Sequence, residues 1–119
     1  MDYRKEVMRT ANIKIEDYLH NLGLGGMGVA GEAGEVCDLA KKIIYHNKTV
    51  SKEKITEEMG DVYWYLEYLC IILDVSRELV MNQNIEKLKI RYPNGFNPND
   101  ANKRMDENSN DEIKGSQNK

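Results

Sequence analysis

The stretch ITEEMGDVYWYLEYLCIIL, Ile55–Leu73, decides the fold class. Ile55, Met59, Val62, Leu66, Leu69 and Leu73 recur at steps of three and four, the spacing of one face of an α-helix. The segment extends back to about Lys52, where Ser51 is a fair N-cap. Glu67 and Asp74 interrupt its apolar content, leaving a run too short to span a bilayer, so no membrane is expected.

Three further helical segments flank it. The first carries Tyr3, Val7, Ala11, Ile15, Tyr18, Leu19 and Leu22, and is expected to end at the glycine-rich NLGLGG. The second runs from about Met27 to His46, with Val29, Ala33, Val36, Ala40, Ile43 and Ile44 on its stripe. The fourth includes Leu79, Val80, Ile85, Leu88 and Ile90, with Asp74 or Ser76 as its cap, and is stopped by Pro93. No strand pattern competes. The expectation is an all-α, four-helix bundle-type domain over residues 1–96. From Asn97 the composition turns to Asn, Asp, Lys and Ser, which buries too little surface to offset ordering entropy. A docked arm over 97–104 and a flexible polar tail over 105–119 follow from that shift.

The chain has 119 residues and a net charge of −3, so it lacks the basic footprint of a duplex-binding protein, and no nucleic-acid partner is expected. The N-terminus has no apolar h-region, which points to the cytoplasm rather than secretion. Cys37 and Cys70 fit buried, reduced thiols, and no Cys/His zinc spacing occurs. So small a domain has a marginal core, which favours association with copies of itself.

The third segment contains EMGDV, Glu58–Val62, and the second contains EAGEV, Glu32–Val36. Both follow the order acid, any residue, glycine, acid, valine. At about 100° per residue, the first acid lies roughly 40° from the valine and the second roughly 100° from it. Each pair therefore borders its apolar stripe at the same angle, with a glycine that removes bulk between its members. Glycine costs a helix interior about 1 kcal/mol relative to alanine, so the pattern is locally unfavourable. Two antiparallel helices sharing this border bring Glu32, Glu35, Glu58 and Asp61 together. Clustered carboxylates repel and resist desolvation, and a hard divalent cation relieves both. No histidine stands in the ExxH spacing of di-iron bundles beside these acids, and Asp17 with His20 gives a single isolated DxxH. Oxygen-only ligation therefore favours Mg²⁺, with Mn²⁺ as a substitute. The competing interpretation is a solvated acidic face on a non-catalytic helical interaction module, binding a structural cation or a basic partner.

Other side chains fit either a site or a solvated surface. Asp38 turns further from the stripe and fits a surface or supporting acid better than a ligand, and Glu57 fits solvent. Asn84, Lys87 and Arg91 share a face of the fourth segment with phosphate-binding potential. Lys41, Lys42 and His46 equally suit the C-terminal dipole of the second. Among Tyr63, Trp64 and Tyr65, one ring is expected to stack on a base and the others to pack.

LGLGGMGVAGEAGEVCDLAKK, EEMGDVYWYL and KLKIRYPNGF, with Arg104 downstream, resemble the MazG-like all-α nucleotide pyrophosphohydrolases. The resemblance covers most of residues 3–104. It implies Mg²⁺-dependent hydrolysis of nucleoside triphosphates between the α and β phosphates, giving a monophosphate and pyrophosphate. It also implies Glu32, Glu35, Glu58 and Asp61 as metal ligands, with Glu35 as candidate base, and Tyr65 lining the nucleotide pocket. Trp64, Asn84, Lys87, Arg91 and Lys42 complete the candidate substrate contacts. A homo-oligomer, dimer or tetramer, with a site completed by a neighbouring protomer is implied as well. Many relatives carry an acid where this chain has Gly31, which resembles a smaller GExxE branch and leaves the number of metal ions open.

Overall fold

The computed structural model describes residues 1–109, without the side chains of residues 108 and 109. It holds five α-helices and a short 3-10 turn: α1 (Tyr3–Thr10), α2 (Tyr18–Tyr45), α3 (Lys52–Leu73), α4 (Arg77–Arg91), α5 (Pro98–Lys103) and the turn Met105–Ser109. Among the described residues there is no β-strand, and no helix is long and apolar enough to cross a membrane. The chain divides into two compact units, Met1–Ser76 and Arg77–Lys119.

In the first unit, α2 and α3 form an antiparallel hairpin. Gly25 faces Leu69 and Tyr68, while Gly28 faces Tyr65. A Cβ at either glycine would overlap those side chains, so the two glycines let the helices approach closely. Ser51 caps α3 through Lys54 N. Asp74, expected as a possible cap of the fourth helix, instead ends α3 in the left-handed conformation at φ 53°.

The first helix departs from expectation. Its apolar steps suggested continuity to Leu22, but α1 stops at Thr10, and NLGLGG lies inside α2. Two local devices account for this. Asp17 caps α2 by accepting from His20 N, and the Asn21 amide pairs with both Lys14 N and Lys14 O. The Asx cap starts the helix nine residues before the expected Met27, and the close approach of α3 keeps it intact through the glycines. Asp17 is thereby a cap, not half of a DxxH metal motif.

α1 runs antiparallel to α3. Arg4 Nε donates to Glu67 Oε1 at 2.7 Å, and Arg4 also donates to Val75 O. Trp64 Nε1 donates to Thr10 Oγ1 at 2.9 Å. Val7 and Tyr68 are fully buried between them, with Leu39 and Cys70 also buried in this unit. Cys37, expected inside, is exposed because it stands one residue, about 100°, beyond Val36.

In the second unit, α4 contacts α5 and the 3-10 turn. Pro93 follows the end of α4, and Gly95 turns the chain at φ 85° with its amide donating to Tyr92 O. Asn97 caps α5. Composition assigned Met105 onward to a flexible tail, but Met105–Ser109 is folded, and Asp106 is buried against Arg91. The remainder of that expected tail, residues 110–119, lies outside the described residues.

Candidate metal and nucleotide site

The α2–α3 seam brings three acids together. Carboxylate oxygens of Glu32, Glu58 and Asp61 lie within 4.8 Å of one another. Glu35 is exposed and stands outside this trio. Glu32 follows Gly25 by two turns and returns to within about 20° of it, on the border with α3; Glu35 stands in the same relation to Gly28, about 60° further round, and is exposed outside the trio. On α3, Glu58 lies about 20° to one side of Tyr65 and Asp61 about 40° to the other, so both border the face that meets α2. The two motifs match in sequence, but the seam takes one acid from α2 and both from α3.

The valines behave alike. Val36 and Val62 line one open apolar groove of about 410 Å³ with Ala33, Met59, Tyr63 and Leu66. Expected bulk relief at the intervening glycines is absent: a Cβ at Gly34 or Gly60 would meet nothing within 4 Å. Gly25, Gly28, Gly31 and Gly34 are three residues apart, so the row winds about 60° per step away from α3. Only its first two members need to be glycine for the hairpin.

The electrostatics fit a hard cation. Partial burial, with the charges of Asp61, Glu58 and Glu35, holds the Glu32 carboxyl above its ordinary range. The donors are all oxygens, and their mutual repulsion is the imbalance that a divalent ion corrects. The oxygen set of Glu32, Glu58 and Asp61 therefore fits a hard divalent cation.

Sequence inspection missed Lys54. Its Nζ lies 2.8 Å from Glu58 and 3.5 Å from Glu57. The K-x-x-E-E spacing was its available signal, because positions i+3 and i+4 share a helix face. At the hairpin end, Lys42, Lys48 and Lys54 line a cavity of about 490 Å³ with Leu39, Thr49, Val50 and Ser51. Lys42 and Lys41 pair with Asp38 at 2.8 and 3.1 Å, lowering the Asp38 pKa and raising that of Lys42.

The aromatic run divides three ways. Tyr65 covers Gly28, Trp64 stacks on Tyr68 at 5.5 Å, and Tyr63 borders the groove. Asn84 and Lys87 lie on the exposed surface of α4, in the second unit. Arg91 is engaged by Asp106 through two hydrogen bonds of 2.7 and 2.8 Å, which raise the arginine pKa and lower the aspartate's.

A MazG nucleotide pyrophosphohydrolase domain matches residues 26–96, which include both acid pairs and all of α4. The chain belongs to the MazG nucleotide pyrophosphohydrolase family. A relative, the Gene 37 protein of Mycobacterium phage L5, is 35% identical over 83 residues, covering 66% of this chain and 73% of the phage protein. No solved structure matches.

Proposed function

We propose that the protein is a cytoplasmic, Mg²⁺-dependent pyrophosphohydrolase that converts nucleoside or deoxynucleoside triphosphates to monophosphates and pyrophosphate. The observation that carries this reading is the convergence of Glu32, Glu58 and Asp61 within 4.8 Å, inside the segment that matches the family. Glu32, Glu58 and Asp61 would hold Mg²⁺, with Mn²⁺ as a substitute, and the ion would supply charge neutralisation at the phosphates and ease ionisation of the attacking water. Glu35, exposed beside the trio, accepts the proton of the attacking water on a carboxylate oxygen. Tyr65 and Trp64 offer ring surface to a base. In the first unit Lys42 offers a hydrogen-bond donor to phosphate oxygens; in the second, Asn84, Lys87 and Arg91 carry donors of the same kind, Arg91 only after giving up Asp106.

A homo-oligomer belongs to the same proposal. Met59, Tyr63 and Leu66 in the first unit, and Val80, Ile85 and Leu88 in the second, are each more than a third exposed. That much uncovered apolar surface suits burial against a second copy. The hydrolysis, which would serve the control of nucleotide pools, is tested by incubating the protein with Mg²⁺ and a panel of triphosphates. Release of monophosphate and pyrophosphate, abolished in Asp61→Asn and Glu35→Gln at unchanged helicity, is the expected result. Full activity in both variants overturns the residue assignment. A uniform blank from a folded, associated protein favours a non-catalytic helical module that holds a structural cation or a basic partner.

A further inference from the structure

We propose that Lys54 is a built-in counter-ion of the acidic site: it holds Glu58 until a divalent cation replaces it, and Glu57 then receives its ammonium. This inference rests on the reading of Glu32, Glu58 and Asp61 as a cation site. Its basis is the geometry of one helical turn of α3. Lys54 Nζ lies 2.8 Å from Glu58 Oε1 and 3.5 Å from Glu57 Oε1, so one ammonium already touches both carboxylates. The two acids differ in surroundings. The Glu58 side chain is 13% exposed and belongs to the trio, whereas Glu57 is 67% exposed and does not.

Without an incoming ion, three carboxylates share a small volume, and Lys54 is the nearest positive charge the helix supplies. Lys42 lines the same cavity and feels the charge of Lys54, so their mutual repulsion favours an ammonium held on the acids. A divalent ion arriving at Glu32 and Asp61 cannot comfortably share Glu58 with an ammonium at hydrogen-bond distance, because like charges repel strongly at such separations. Displacing Lys54 is easy. An i,i+4 pair with an exposed partner contributes little, and Glu57 is already within reach. Cation and ammonium therefore exchange on Glu58 without leaving either acid unbalanced. Lys54 keeps the resting site ordered at the expense of its affinity for a bare cation.

The test is a titration of the full chain with Mn²⁺ alone, free Mn²⁺ being followed by electron paramagnetic resonance. Lys54→Met keeps the aliphatic stem and removes the charge. It is expected to tighten Mn²⁺ binding by about three- to tenfold with helicity unchanged. Lys54→Gln gives the same comparison with a polar side chain, should the methionine variant fold poorly. Glu57→Gln removes the alternative partner, so it weakens Mn²⁺ binding in the parent chain and has little effect in the Lys54→Met background. That non-additivity separates exchange from a general change of field. Unchanged or weaker binding in both Lys54 variants overturns the inference while leaving the cation site standing. No Mn²⁺ binding in any of the chains overturns the cation-site reading and this inference with it.

Discussion

Glu32 shows what a single position in the seam does to a carboxylate. Partial burial and three neighbouring acids raise its pKa in the folded protein. The native state therefore disfavours the ionised form, and the penalty is fully present at neutral pH. It fades as pH falls through the raised value, because the folded protein then binds the proton more readily than the unfolded chain. Glu32→Gln is expected to raise the metal-free melting temperature modestly at pH 7.5, with the gain vanishing near pH 4. Melting curves at the two pH values check this, and a drop at pH 7.5 counts against a repulsive trio. The identity of these acids was legible in the sequence, since two copies of one pattern are hard to overlook. Their unequal use was not. It depends on where the seam with α3 lies at the level of each acid, which spacing does not specify, since Glu32 and Glu35 follow Gly25 and Gly28 by the same seven residues.

At the scale of the element, the glycines of α2 divide into two kinds. Gly28→Ala drives a methyl into the Tyr65 ring and should cost about 1–3 kcal/mol, the usual range for overpacking. Gly34→Ala meets open space and should gain up to about 1 kcal/mol from helix propensity. Urea denaturation of the two variants distinguishes these opposite signs. A second case is Glu67, which interrupts the most apolar stretch of the chain yet is 5% exposed. Its partner Arg4 lies 63 residues away and is one-third exposed. Arg4→Ala should cost about 3 kcal/mol by leaving a buried carboxylate unpaired, and Arg4→Met with Glu67→Leu should recover most of it. Equal destabilisation in the single and double variants would contradict the pairing. Periodicity located α3 to the residue because nothing in its stripe competes with helix. It failed at α1 because Ala11, Ile15 and Tyr18 continue the helical spacing while Asp17 and Asn21 redirect the backbone. Side chain-to-backbone bonds of that kind carry no hydrophobic period.

At the scale of the whole molecule, the all-helical class follows from the sequence alone, whereas the division into Met1–Ser76 and Arg77–Lys119 does not. The fold of Met105–Ser109 was equally hidden, because Asp106 gains its place from Arg91, 15 residues earlier, and not from its polar neighbours. The proposed oligomer predicts a melting temperature that rises with protein concentration, since a partner that binds only the folded chain stabilises it by mass action. Leu66→Lys in the apolar groove is expected to abolish that dependence and to shift sedimentation toward the monomer. A concentration-independent melt in the parent chain removes the oligomer from the proposal.

The order of contacts along the hairpin also bears on how quickly it forms. Counting outward from the 46–51 connection, Glu32 meets Glu58 across fewer residues than Gly28 meets Tyr65 or Gly25 meets Leu69. A chain that zips from its turn must therefore bring the repelling acids together before the glycine contacts can reward it. On that route the trio is expected to slow refolding, and stopped-flow refolding of Glu32→Gln at pH 7.5 should outpace that of the parent chain. The chain that folds fastest from this turn is one whose acids are already neutralised by a proton, by an ammonium or by an ion.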